Sequence, residues 1–234
     1  MMTVETPPTT RGVGLLNEKP LHAALKAWYA QPDDRFEVVV DGSVIDIVRG
    51  ELLVEIQTRG FSALKRKLEK LVASHPVRLV YPIAAEKWIV RLSDDGAIQG
   101  GRRKSPKHGA TSELFRELVS FPHLVSDPNF SLEVLLIQEE EVRQQGLARN
   151  WRRRGWGTVE RRLVQVVDSR LFATPADLAT LLPPTLDEPF TTAGLAAAID
   201  QPRWLAQKMT YCLRSVGAIA EAGKQGKATR YVRA

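Results

Sequence analysis

The sequence predicts an α/β protein: a mixed central sheet flanked by helices, followed by a smaller unit of short helices and a terminal hairpin. Three observations predict it. β-branched runs cut by Gly turns occupy 36–58, which reads as strands. An amphipathic segment at 61–75 leads into an apolar run at 77–83, the order of a helix crossing over to a buried strand. Past an arginine-rich stretch, short apolar segments begin with Thr and end at Pro or Gly, as capped helices do.

The elements follow in order. The N-terminal stretch to residue 14 is rich in Thr and Pro and reads as a disordered tail without the apolar core of a signal peptide. Residues 17–30 form a first helix, with Leu21, Leu25 and Trp28 at helical spacing, Asn17 as cap and Pro20 in the first turn. FEVVV (36–40), SVIDIV (43–48) and ELLVEIQT (51–58), joined by turns at Asp41-Gly42 and Arg49-Gly50, read as an antiparallel meander. The helix at 61–75 puts Leu64, Leu68, Leu71 and Val72 on one face. Strands are expected at 77–83, 87–93 and 130–143, with a basic loop at 101–109 and a short helix at 112–121. Glu139, Glu140 and Glu141 read as a solvated charge run.

A boundary is expected at 149–157, where six arginines stand against one acid over 149–162. This divides the chain into a first domain at 15–148, a basic linker at 149–157 and a second domain at 158–234. Within the second, 158–172 reads as a helix with Leu163, Val166 and Val167 inward. Thr174 caps the next helix, Thr191 or Thr192 the one after, and 202–217 forms a longer helix stopped by Gly217. Two short strands around GKQGK close the chain.

Of 234 residues 44% are apolar, enough to bury one sizeable core or two smaller ones. No apolar run is long enough to span a membrane. The single cysteine, Cys212, excludes an internal disulfide and a Cys-rich zinc site, and a cytoplasmic location is expected. The net charge of +6 is concentrated. Residues 201–234 hold seven Lys or Arg against Glu221 alone, while the other 200 residues hold 26 basic and 26 acidic side chains. A concentrated positive field fits a polyanion, because bound phosphates release counterions.

Residues 190–234 have the layout of a winged helix-turn-helix: short helix, turn, longer basic helix, basic hairpin. Leu205, Met209, Cys212, Leu213 and Val216 are spaced as buried anchors. Arg203, Gln207, Lys208, Tyr211 and Arg214 are expected to face outward towards DNA, with Gln207 able to read a base edge. Lys224, Lys227 and Arg230 of the hairpin, and Arg152, Arg153 and Arg154 of the linker, are further candidate DNA contacts. The segment resembles winged-helix repeats of bacterial regulators.

The candidate chemistry lies earlier. Asp46 interrupts V-I-D-I-V, and Glu55 and Gln57 interrupt L-L-V-E-I-Q-T. A carboxylate in an apolar strand is costly unless paired or bound to metal. Glu55 and Gln57 share a face of their strand, and the hairpin can bring Asp46 beside Glu55. Two carboxylates and an amide oxygen are hard donors suited to Mg²⁺ or Mn²⁺. Asp46 paired with Arg49, Arg59 or Arg78 is the competing structural explanation. His22, one turn after Glu18, is either a neighbour of the site or a core histidine.

"I-D" at 45–46 and "E-I-Q" at 55–57, set in a helix–strand–strand–strand–helix–strand order, resemble the PD-(D/E)XK nuclease superfamily, whose core is the restriction-endonuclease-like fold. The resemblance covers roughly 15–93. It implies Asp46, Glu55 and the first-helix acid Glu18 as metal ligands, and a metal-dependent DNA endonuclease as the activity. Gln57 stands where the family has Lys, so a lysine of the next helix, Lys65 first and Lys67 second, is expected to stabilise phosphate charge. Many nucleases of this fold act as dimers, so the resemblance admits a homodimer. The missing Lys supports an alternative: a non-catalytic DNA-binding regulator or adaptor with a nuclease-like fold.

Overall fold

The computed structural model describes residues 19–146 and 155–234. Asn17, Glu18 and Arg152 to Arg154 lie outside the described residues. The first element is α1 (Pro20–Tyr29), with Pro20 at its start and Leu21, Leu25 and Tyr29 buried. The inward residue of the last turn is therefore Tyr29; Trp28 is exposed.

Strands β1 (Arg35–Val40), β2 (Ser43–Arg49) and β3 (Leu52–Ile56) form the expected antiparallel meander. Asp41 and Gly42, with φ of 48° and 76°, make the β1–β2 turn, where both central positions need positive φ. A 3₁₀ turn at Phe61–Leu64 then leads into α2 (Lys65–Val72). This helix returns the chain to β4 (Val77–Leu92), which runs parallel to β3. The two strands expected at 77–83 and 87–93 are one continuous strand, because an irregularity between Ala84 and Glu86 lets it pass without a turn.

The short β5 (Arg103–Lys104) pairs with β4, and α3 (Phe115–Leu118) lies between flanking 3₁₀ turns. Next, β6 (Phe130–Gln144) runs parallel to β4. The strand β7 (Gly157–Phe172) then pairs antiparallel with β6 along its length. Residues 158–172 are thus a sheet strand, which corrects the helix expected there. The large sheet consequently extends to Phe172. Leu163 and Val166 pack towards α1, whereas Val167 is exposed rather than inward. The sheet order is β1-β2-β3-β4-β6-β7, with β5 beside β4.

Helix α1 covers one face of the sheet, meeting Ile47, Val54, Ile56, Val80, Leu135 and Ile137. The other face is covered by α2, α3 and the C-terminal residues in one continuous apolar core that includes Phe61, Phe115, Phe121 and Phe130. Burying such large side chains on both faces is the main force holding the layers together.

The C-terminal unit comprises α4 (Pro175–Ala179), β8 (Phe190–Thr191), α5 (Thr192–Ala198), α6 (Arg203–Ser215), β9 (Ile219–Gln225) and β10 (Ala228–Arg233). Thr174 and Asp177 form a reciprocal capping box on α4, and the Thr191 hydroxyl accepts the Gly194 N–H to cap α5. Gly217, with φ of 73°, follows the end of α6. Strands β8, β10 and β9 make an antiparallel sheet in that order. Leu205, Met209, Cys212 and Leu213 are buried as anchors, and Val216 packs beside them.

Candidate functional site

The β2–β3 ladder explains how a buried carboxylate pair forms. Backbone pairing ends at Ile47 and Val54, so Asp46 and Glu55 occupy the next facing positions, where no further pairing is formed. On its other side β3 remains tied to β4 through the Gln57 N–H and Val80 carbonyl. The Ile56 N–H points back across the gap and donates to Asp46 Oδ2 at 2.7 Å. A side chain thus substitutes for the missing ladder carbonyl and fixes the carboxylate at the opening.

His22 Nε2 of α1 lies 3.1 Å from the same Asp46 oxygen. Two of the three possible arginine partners are engaged elsewhere, Arg49 with Asp34 at 2.8 Å and Arg78 with Glu133 at 3.5 Å, and Arg59 lies in a cavity that Asp46 does not line. Burial works against the charge on Asp46. Contacts from His22 and Ile56 and the nearby Lys26 charge outweigh it and hold the carboxyl below its usual range.

Glu55 is ion-paired with Lys67, whose Nζ also donates to the Val44 carbonyl at 2.5 Å. Burial first, then the negative charge of Asp46, push the Glu55 carboxyl up to about 7, while Lys67 pulls it down. The Glu55 anion is disfavoured by burial and by the Asp46 charge, and a positive charge close by offsets both effects. Asp46 keeps 15% of its side chain exposed and Glu55 6%, so the pair is reached through Asp46.

The remaining expected members are placed differently. Lys65 is exposed, 3.9 Å from Glu69, and does not meet Glu55. Lys67 takes that place because the 3₁₀ turn at 61–64 resets the helical phase. Gln57 does not join the pair. Its Nε2 donates to the Arg59 carbonyl at 2.7 Å and shapes the following loop. Among the described residues no group of three or more His, Cys, Asp or Glu side chains is close enough to hold a metal ion. Glu18 lies outside them.

The acidic run is not the solvated stretch that its composition suggests. Glu139 and Glu141 are buried, because strand alternation turns both to the same face. Lys87 reaches them at 2.9 and 3.0 Å. Arg161 also pairs with Glu139, and Arg143 with Glu141. Burial raises the Glu141 carboxyl, but Arg143, Thr158 and Lys87 more than reverse this and bring it to about 2.

On the C-terminal unit, a hollow of about 430 Å³ lies between α6 and the β9–β10 hairpin. Arg203, Gln207, Tyr211, Arg214 and Lys227 line it as one polar face, with Arg214 paired to Glu221. Lys208 is a correction. It points away from this hollow, donating to the Arg116 carbonyl at 2.9 Å and lying over the Trp204 ring. Lys224 and Arg230 do not line the hollow either.

The fold and site define a mixed-sheet α/β protein with a buried carboxylate pair at a splayed hairpin. The chain belongs to the family described as Domain of unknown function (DUF8091), whose model matches residues 19–173. That match ends where β7 ends, so it takes in the whole large sheet and the carboxylate pair. The chain is also 32% identical over 185 residues to an uncharacterized protein of Treponema pallidum (strain Nichols), covering 79% of this chain and 73% of the relative. No solved structure matches it. No helix among the described residues is long and apolar enough to cross a membrane.

Proposed function

We propose that the protein is a metal-dependent DNA endonuclease of the PD-(D/E)XK kind, directed to DNA by a C-terminal winged helix. The observation that carries this reading is the facing of Asp46 and Glu55 at the splayed hairpin, with Lys67 on Glu55. Asp46 and Glu55 are the residues that would hold Mg²⁺ or Mn²⁺, and Glu18 is a further candidate. The ion would polarise a phosphodiester and lower the pKa of water. The chain's own groups do the positioning. The Ile56 N–H and His22 orient Asp46, and Lys67 keeps an ammonium beside Glu55, where it can donate to a phosphate oxygen. Gln57 is no general base and shapes the neighbouring loop instead.

For the C-terminal unit, the order of β8, α5, α6 and the β9–β10 hairpin supports a winged helix with α6 as the groove-reading helix. Arg203→Ala is expected to weaken DNA binding and to reduce the salt dependence by about one phosphate contact. Lys208→Ala is expected to leave both unchanged, because Lys208 is turned to Arg116. Fluorescence anisotropy against salt concentration checks the pair.

The catalytic reading is tested by incubating purified protein with plasmid, single-stranded and branched DNA, in Mg²⁺ or Mn²⁺ and in EDTA. Metal-dependent cutting that disappears in Asp46→Asn supports it. Binding without cutting supports the second reading, a non-catalytic DNA-binding regulator or adaptor. That alternative is favoured by Gln57, which stands at the usual lysine position and points out of the site.

A further inference from the structure

A cavity of about 600 Å³ opens beyond the end of β3, over the middle of β4, the end of β6 and the start of β7, bounded by the loop after β5 and by α3. Asp46 and Glu55 do not line it. Its volume is in the range of small-ligand sites, but its walls are charged rather than greasy. Six cations line it: Arg59, Lys87, Lys107, Arg116, Arg143 and Arg161. Against them stand Glu113, Glu117 and Glu141 in the lining and the buried Glu139 behind Lys87 and Arg161. Six cations facing four carboxylates leave an excess of two positive charges.

The excess is placed rather than diffuse. Arg59 has no ion-pair partner among the described residues. Its loop is nevertheless fixed on both sides. Glu117 Oε2 accepts the Gly60 and Phe61 N–H groups at 3.1 and 3.2 Å, and Gln57 donates to the Arg59 carbonyl. Lys107 and Arg116 share the single carboxylate of Glu113. The Tyr81 ring is buried in the cavity wall, and its hydroxyl has no hydrogen-bond partner among the described residues. Burial pushes that hydroxyl up to about 12, so it stays protonated and able to donate. A guanidinium fork and a hydroxyl donor around a net charge of two suit a compact dianion.

We propose that this cavity binds a phosphate monoester, the doubly charged group of a mononucleotide or of the 5′ end of a nucleic-acid strand. A monoester carries about −1.5 to −2 at neutral pH, which matches the excess, whereas an internal phosphodiester carries one charge and is sterically flanked. The site is separate from the carboxylate pair and needs no metal.

Calorimetric titration of the full chain in EDTA, which prevents cutting, tests this. The probes are deoxyadenosine, deoxyadenosine 5′-monophosphate, and one short oligonucleotide with either a 5′-phosphate or a 5′-hydroxyl. The phosphorylated member of at least one pair is expected to bind tenfold or more tightly than its partner. Preference within the first pair identifies a mononucleotide, and preference confined to the second a strand end. Arg59→Ala is expected to reduce that binding at least tenfold and Tyr81→Phe several-fold, with Arg66→Ala, exposed on α2, unchanged. Equal affinity with and without the phosphate, no binding of any probe, or an unaltered Arg59→Ala would each overturn the proposal. Because metal is absent, none of these results depends on whether the protein cuts DNA.

Discussion

Asp46→Asn is expected to lower metal-dependent cutting about a thousandfold while leaving the fold and DNA binding intact, the order found when one preorganised electrostatic group is lost. The substitution is chosen for what it keeps. An asparagine oxygen still accepts the Ile56 N–H, so the splayed hairpin retains its bridge. What disappears is one of two anionic donors. Asp46→Ala would also leave the Ile56 amide unpaired, adding about 1–3 kcal/mol of destabilisation that blurs the result. Glu55→Gln is expected to be as severe. The double variant is expected to be no worse than either single one, because half a cation site acts as none. Initial rates on supercoiled plasmid, with circular dichroism to verify folding, provide the measurement.

Lys87→Met is expected to destabilise the protein by about 3 kcal/mol, since removing one partner of a buried ion pair strands the other charge. Lys87 is the one lysine that reaches both Glu139 and Glu141, and Glu139 is fully buried. Arg161 remains on Glu139 and Arg143 on Glu141, which keeps the loss below that of an isolated buried charge. Adding Glu139→Gln is expected to recover part of it. Acid titration separates the contributions. Glu141 titrates near 2 in the folded protein, below its ordinary value of 4.5. Its stabilisation is therefore present above 4.5 and is lost as pH falls towards 2. In Lys87→Met that acid-sensitive loss is expected to shrink. Urea unfolding at pH 7 and pH 3 reads both effects. A loss under about 1 kcal/mol at pH 7 would mean that water or the arginines already compensate the carboxylates.

The carboxylate pair was legible because a two-residue turn fixes register. Once Gly42 and Gly50 mark the turns of the meander, the facing of Asp46 and Glu55 follows by counting. The caps at Thr174 and Thr191 were legible for a similar reason: they are local and depend on residue type alone. Longer-range features were not. Leu163, Val166 and Val167 fit a helical stripe, and only pairing with β6 selects a strand for 157–172. As an edge strand with one solvated face it carries arginines that blur its alternation. Glu139 and Glu141 looked solvated because their compensating cations, Lys87 and Arg161, come from distant strands. Lys67 replaced Lys65 because a 3₁₀ turn shifted the helical phase, and four residues of sequence cannot distinguish 3₁₀ from α. The cavity around Arg59 showed in the sequence only through the basic loop at 101–109 that supplies Lys107, since its other cations come from five separate segments.

Cation binding at the pair is measured by thermal unfolding with and without Mn²⁺ at pH 8 and pH 5. Glu55, raised to about 7, favours the metal-free protein at low pH, and this contribution is lost as pH rises through 7. The wild-type midpoint is expected to rise with Mn²⁺ at pH 8, to rise far less at pH 5, and to be unmoved in Glu55→Gln. An unmoved wild type at pH 8, or an equal rise in Glu55→Gln, would contradict a shared cation site at Asp46 and Glu55.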